Sequence, residues 1–519
     1  MLTMPKPFIN EKIRTFADAA DRSSIEAALV RARTRLGATY PLVIDGEKIA
    51  TKTTTASINP SHPSEVVGHV GEASLEQASE ALRVATERFA TWKNVPWDER
   101  ADFLFRAADV VRSRRDDYNA IMVLEVGKSW FEADADTAEA IDFLEYYARE
   151  ALRLASPAPL VPSPMPETNE LRYMPLGVGV VIPPWNFAFA IMAGMTAAAI
   201  VTGNTVVLKP SPDAAVVAAQ FVDLMHELGL PAGVINYVPG DGPTVGEALV
   251  ADPRTRFVSF TGSKAVGLRI NELAAKTPPG QRWIKRVVAE LGGKDAIIVA
   301  DDADIEEAAS GVLASAFGFA GQKCSACSRA IVDAKVYDRF VEVIAAKATA
   351  LITGDPVDAA TYMGPVINQK AVDRIASYIE GARGERRLVA GGKRLDHEGY
   401  FFEPTIFADV DPQSRLAQEE VFGPVLAIIK AADYDDALRI ANDTEYGLTG
   451  AVYAKDPAKL DRAADEFFVG NLYLNRKCTG ALVGVHPFGG FNLSGTDSKA
   501  GGYDYLLFFV QAKAIARKT

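Results

Sequence analysis

The chain has 519 residues, 48% of them apolar and 24% charged, which is enough apolar material for two to four domains with large buried cores. Its net charge of −12, with no Lys/Arg block against that background, argues against a nucleic-acid-binding surface. Three cysteines, Cys324, Cys327 and Cys478, are too few for a disulfide scaffold and fit a reducing, cytoplasmic setting. Residues 1–39 read as an arm of helical pieces without the continuous apolar core of a secretory signal. Tyr40–Ile49 reads as a hairpin with its turn at Asp45-Gly46, and Ser57–Val70 as another extended segment. Helical periodicity then covers Leu75–Trp92, Trp97–Arg115, Asp117–Gly127 and Phe131–Leu154. Pro157, Pro159, Pro162, Pro164 and Pro166 next exclude helix and central strand, so an extended excursion is expected, either a linker or an oligomer arm.

From Gly177 short apolar strands alternate with helices. Strands are expected at Val178–Ile182, Thr205–Leu208, Ile235–Val238 and Phe257–Phe260, and helices at Phe189–Val201, Ala214–Leu228 and Val245–Ala251. The run Phe187–Val201 is Ala-rich and too short for a bilayer, so it reads as a core helix and no membrane contact is expected. A second series opens with the strand Arg286–Glu290. It continues through Ala296–Ala300, a helix at Asp304–Phe319, a strand at Ala330–Val332 and a helix at Val336–Leu351. Two such series define an α/β fold with two domains meeting near residue 288. The tail Leu506–Ile515 reads as an exposed strand seeking a partner edge.

Cys324 lies in Phe319-Ala-Gly-Gln-Lys-Cys-Ser325, a glycine-flanked loop after a helix. Three readings are open: a buried structural thiol, half of a C-x-x-C redox pair with Cys327, or a nucleophile facing a cleft. In the last case Lys323 and nearby N–H groups should lower its pKa. A metal site is not expected, because there is no second C-x-x-C and the five histidines are scattered. Glu290 ends an apolar strand before Leu291-Gly292-Gly293 and reads either as a solvated loop carboxylate or as a general base with a pKa raised by burial. Asn186, in Pro183-Pro184-Trp185-Asn186-Phe187, reads as a helix N-cap or an oxyanion donor. Phe260-Thr-Gly-Ser263, running into a helix that includes Gly267, offers small residues and free N–H groups to a pyrophosphate, or is an ordinary turn. Lys209-Pro210-Ser211 follows a strand, where the lysine could reach ribose hydroxyls or lie on the surface.

Taken together, PPWNF (183–187), LKPSP (208–212), FTGS (260–263), ELGGK (290–294), GQKCS (321–325), EEVFGP (419–424) and PFGG (487–490) resemble the NAD(P)-dependent aldehyde dehydrogenases. Seven motifs in order span nearly the whole chain from residue 40. The resemblance implies a Rossmann-type cofactor domain (40–154 and 174–287), an α/β catalytic domain (288–495) and a small β oligomerisation arm (155–173 and 496–519), hence a homo-oligomer. It implies Cys324 as nucleophile, Glu290 as base for the hydrolytic water and Asn186 as oxyanion donor. Lys209, Ser211, Pro184, Trp185, Gly262, Ser263, Gly267, Glu420 and Phe422 would hold the cofactor. Many members carry a glutamate two residues after Lys-Pro; here Pro212 and Asp213 leave NAD against NADP open.

A narrower likeness rests on EAIDFLEYYAR (139–149), LNRKCTGALVG (474–484) and the GQKCSA context. These resemble the branch of the family that oxidises glutamate γ-semialdehyde in proline breakdown. By that resemblance Ser325, Gly480 and Ala481 would anchor the substrate carboxylate. Phe143 and Phe488 would wall its aliphatic part, Glu139 would meet the amine, and Lys323 would lie in the same pocket.

Overall fold

The computed structural model describes residues 6–156, 159–384 and 386–519. Two seven-stranded sheets organise the chain. In the first, the strands run in the order Arg286–Glu290, Thr255–Thr261, Val178–Ile182, Thr205–Leu208, Ile235–Tyr237, Leu42–Ile44, Glu47–Ile49. The first five pair in parallel, and the hairpin of the last two joins antiparallel through Val43 and Tyr237. The Asp45-Gly46 turn has both residues at positive φ, as a tight hairpin needs.

Strand order fixes where a ligand can enter. Val178–Ile182 is first of the five parallel strands in sequence, and its two neighbours continue the chain in opposite directions. The order therefore reverses between Val178–Ile182 and Thr255–Thr261. A crevice opens at the carboxyl ends of such a pair, because the following helices leave on opposite faces. Pro183–Asn186 and Gly262–Ser263 lie immediately beyond those two ends. The helix Ala190–Val201, which has almost no exposed side chain, packs behind them as the core helix its composition predicts.

The second sheet runs Arg387–Ala390, Thr405–Ala408, Val425–Ala431, Arg329–Asp333, Ala296–Val299, Thr449–Tyr453, Asn471–Leu474, parallel except at its first edge. One expectation is corrected here. Arg286–Glu290 does not open the second series; it pairs with Thr255–Thr261 and closes the first sheet, with Thr261 opposite Glu290. The chain crosses between sheets through Leu291–Asp295, so Glu290 stands at the seam.

The tail also differs from expectation. Tyr505–Phe509 is a 3-10 turn, and the strand is Val510–Lys518. It finds its edge within its own chain, pairing antiparallel with Glu167–Pro175 over nine residues. The resulting two-stranded ribbon is largely exposed, and among the described residues no third strand pairs with either outer edge. Part of the Pro-rich segment, residues 157 and 158, lies outside the described residues. Among the described residues no helix is long and apolar enough to cross a membrane.

Candidate active site

The loop that presents Cys324 is held in an unusual shape. Phe319 and Ala320 both sit in the left-handed region (φ 52° and 54°), followed by Gly321 at 68°. Non-glycine residues there cost about 1–3 kcal/mol each and persist only where the surroundings impose them. Gln322 supplies part of that constraint. It is fully buried, its Nε2 donates to the carbonyls of Phe319 and Pro365 (both 3.3 Å), and its Oε1 accepts from the Ile367 N–H at 2.9 Å. Its own carbonyl accepts from Asn186 Nδ2 at 3.0 Å. Asn186 is therefore not a helix cap, since the following helix starts only at Ala190; its amide ties the switch-point turn to the nucleophile loop.

Cys324 is partly exposed and stands between two cavities. The larger is a cleft of about 690 Å³ over the strand-order reversal, lined among others by Trp185, Lys209, Ser211, Ser263, Glu420 and Phe422, and also by Pro184, Asn186 and Gly262. The smaller is about 100 Å³ and collects Glu139, Phe143, Glu290, Ser325, Phe488 and the Gly480-Ala481 pair. Only Cys324 and Thr261 line both. Among the described residues the N–H groups of Gly480 and Ala481 have no protein acceptor. Gly480 is left-handed (φ 80°), and Arg476 secures the loop through the Thr479 and Gly480 carbonyls at 3.1 Å.

Electrostatics separate the groups. Burial pushes Glu290 up to about 8, against the pull of Ser498 and Lys499. Burial beside Asp136 pushes Glu139 up to about 8 as well. Among the described residues Lys209 Nζ donates only to the Pro210 carbonyl, at 3.4 Å, and burial lowers it to about 8. Glu420 accepts from the Gly293 N–H at 3.1 Å and is held above the ordinary carboxylate range by burial. Ser263 heads the helix Lys264–Ala275 without using its hydroxyl as a cap.

Three expectations fail. The Cys324 thiol is raised, not lowered, because burial and the carboxylates Asp295, Glu420 and Glu290 all disfavour thiolate. Lys323 does not help, since its ammonium is paired with Glu132 at 2.7 Å, and it lines neither cavity. Gly267 lines neither cavity either; it is buried where a Cβ would collide with Leu291, so it serves the packing of helix on sheet. Cys327 faces away: its buried sulfur meets the Arg329 carbonyl at 3.4 Å and lies beside Cys478. The sequence reading also passed over Thr261, Phe187, Tyr147 and Ser498. Phe187, Thr261 and Tyr147 lie inside PPWNF, FTGS and EAIDFLEYYAR and could have been found there, but Ser498 carries no local signal. Asp213, left open with Pro212, lines the cleft and accepts from Asn368 Nδ2 at 3.2 Å.

A sheet-reversal cleft meeting a small cavity at one cysteine is the arrangement of an aldehyde oxidoreductase, and the chain belongs to the aldehyde dehydrogenase family, matching it over residues 48–515. Within that family it is 56% identical over 513 residues to the 1-pyrroline-5-carboxylate dehydrogenase of Geobacillus kaustophilus, covering 99% of each chain. It superposes on the crystal structure of the Thermus 1-pyrroline-5-carboxylate dehydrogenase with bound NAD at a TM-score of 0.98, with 50% identity and both chains fully covered. A betaine aldehyde dehydrogenase from Staphylococcus aureus, with 32% identity and a TM-score of 0.88 over 94% of this chain and 97% of its own, shares the fold at greater distance.

Proposed function

We propose that this chain oxidises glutamate γ-semialdehyde, the open form of 1-pyrroline-5-carboxylate, to glutamate with NAD, as a step of proline breakdown. The observation that carries the reading is the position of Cys324, with Thr261, where the dinucleotide-sized cleft meets a cavity that ends on Ser325, Gly480 and Ala481. The cleft's own groups fit a dinucleotide. Lys209 and Glu420 offer charged partners for ribose hydroxyls, and Ser263 with the open helix N-terminus behind it suits a pyrophosphate. When bound, NAD supplies the hydride acceptor.

The protein's residues supply the rest. The Cys324 S–H bond breaks, its proton passing to solvent water, as the sulfur bonds to the aldehyde carbon; the carbonyl π pair moves onto oxygen, and that negative oxygen is met by Asn186 and backbone N–H. Loss of hydride from that thiohemiacetal leaves a thioester on Cys324. Glu290, kept ionisable near neutral pH by burial, takes a proton from the water that hydrolyses it. In the small cavity the unpaired N–H groups of Gly480 and Ala481, with the Ser325 hydroxyl, suit a carboxylate. Phe143 and Phe488 enclose the methylenes, and Glu139 suits an ammonium.

The cofactor domain is proposed as 40–154 with 174–290, which includes the strand Arg286–Glu290 that closes the first sheet, and the catalytic domain as 291–495. The exposed ribbon of Glu167–Pro175 and Val510–Lys518 is proposed as the contact between copies in a homo-oligomer, which would cover its open edges. Three free cysteines support a cytoplasmic setting. A test is to trap the intermediate. In the Glu290→Gln variant mixed with glutamate γ-semialdehyde and NAD, mass spectrometry is expected to find an acyl group on Cys324 and reduced cofactor in equal amount. An unmodified Cys324 with no reduced cofactor refutes the proposal.

A further inference from the structure

The segment 494–499 grips the strand end that carries Glu290. The Leu291 N–H donates to the Ser494 carbonyl at 2.8 Å, and the Thr496 N–H donates to the Ala289 carbonyl at 3.0 Å. Thr496 Oγ1 accepts the Ala289 N–H at 2.9 Å, Ser494 Oγ donates to the Gly292 carbonyl at 2.8 Å, and Glu290 forms a bridge with Gly495. On this strap Ser498 is fully buried, and its hydroxyl donates to Glu290 Oε1 in a short hydrogen bond. Glu290 Oε2 is also buried and has no partner among the described residues. Lys499 is anchored beside it, its Nζ donating to the carbonyls of Gly470 (2.7 Å) and Gly489.

A buried hydroxyl is costly unless its proton is used, and this one is spent on the carboxylate. We propose that Ser498 is a positioning residue for Glu290, pinning one carboxylate oxygen so that the other is left to take the proton of the hydrolytic water. The inference rests on the reading of Glu290 as base. In that step a water O–H bond breaks and its proton goes to Oε2. The water oxygen bonds to the thioester carbon, and the C–S bond breaks to return Cys324 and release the acid. Only the ionised carboxylate can accept that proton, and a hydroxyl donor favours the ionised form. The charged and titratable groups facing Glu290 are Lys499 and Asp497 from the strap, Cys324 from the nucleophile loop and Tyr505 from the tail turn. Lys499 works with Ser498, and Asp497 works against it.

The test compares full-length Ser498→Ala, Ser498→Thr and Glu290→Gln by rapid mixing with glutamate γ-semialdehyde and NAD, then by steady-state rates across pH. Ser498→Ala is expected to keep the burst of reduced cofactor and to lose about tenfold in steady-state kcat at neutral pH. The acid limb of its kcat profile should move up by about one pH unit, and Ser498→Thr should restore both. A slower rate with no movement of the limb, or a lost burst, overturns the proposal, because a merely structural serine would give those results. If Glu290→Gln stalls after its burst while Ser498→Ala matches the parent in rate and profile, the positioning role alone fails. If Glu290→Gln turns over without stalling, the base reading fails and the inference falls with it.

Discussion

Gly292→Ala probes the cofactor side of the cleft through a single methyl group. A Cβ at residue 292 would lie within 2.6 Å of Glu420 Oε1 and Cδ. The obstructed atoms are the end of a flexible side chain, so the carboxylate swings out and the backbone stays. It leaves its Gly293 N–H, 3.1 Å away, and the place from which it would reach a ribose. A hydrogen bond to a charged group contributes about 1.5–3 kcal/mol. At about 1.4 kcal/mol per decade, the KM for NAD should rise about 10- to 100-fold. The burst rate at saturating NAD should hardly change, because the Cys324 loop is untouched. Initial rates against NAD at saturating aldehyde measure the effect, and thermal unfolding confirms that the variant is folded. A folded Gly292→Ala enzyme with the parent's KM for NAD would refute the placement of Glu420 on the cofactor.

Ser325→Ala should raise KM for glutamate γ-semialdehyde about tenfold or more and leave KM for propanal nearly unchanged, since only the first has a carboxylate to lose about 1.5–3 kcal/mol of hydrogen bonding; equal effects on both would remove Ser325 from the anchor. Because burial and three carboxylates raise the Cys324 pKa above the ordinary thiol value, the free enzyme holds the thiol protonated at neutral pH. Its thiolate fraction, and with it the rate of iodoacetamide alkylation at Cys324, should climb about tenfold per pH unit from 6 to 8.5 without levelling; a plateau near neutral pH would contradict the account. Cys327→Ser should leave turnover per active site near the parent's, since that sulfur is buried against Arg329 and Cys478 and lines neither cavity; loss of turnover would revive a redox-pair reading.

What could be read in advance was whatever the chain keeps together. The strand–helix alternation predicted the parallel strands because each element carries its own periodicity and its own stop. Helix Leu75–Trp92 falls where its pattern placed it, and Gly127 ends the helix Arg115–Val126 in the left-handed conformation, as a C-terminal glycine does. Cys324, Glu290 and Asn186 stood out as candidates because each sits in a short motif, but local sequence left more than one reading open for each, and their roles were implied only by the family resemblance. What failed depended on partners far along the chain. Lys323 looked like a free cation until Glu132, 191 residues away, took it up. The thiol looked acidified until Asp295 and Glu420 came round it. Arg286–Glu290 has no feature that says which sheet it joins, because pairing with Thr255–Thr261 is decided by the crossover. Ser498 is 208 residues from Glu290 and has no local pattern at all.

The central claim is that a thiol placed between two cavities captures, for oxidation by NAD, an aldehyde chosen by a carboxylate anchor. The most direct measurement is kcat/KM with NAD for glutamate γ-semialdehyde, succinate semialdehyde and propanal under one set of conditions. The account predicts the highest value for glutamate γ-semialdehyde, about 100-fold or more above propanal, since two lost hydrogen bonds to a carboxylate are worth at least about 3 kcal/mol. A value for propanal equal to or above that for glutamate γ-semialdehyde would contradict it.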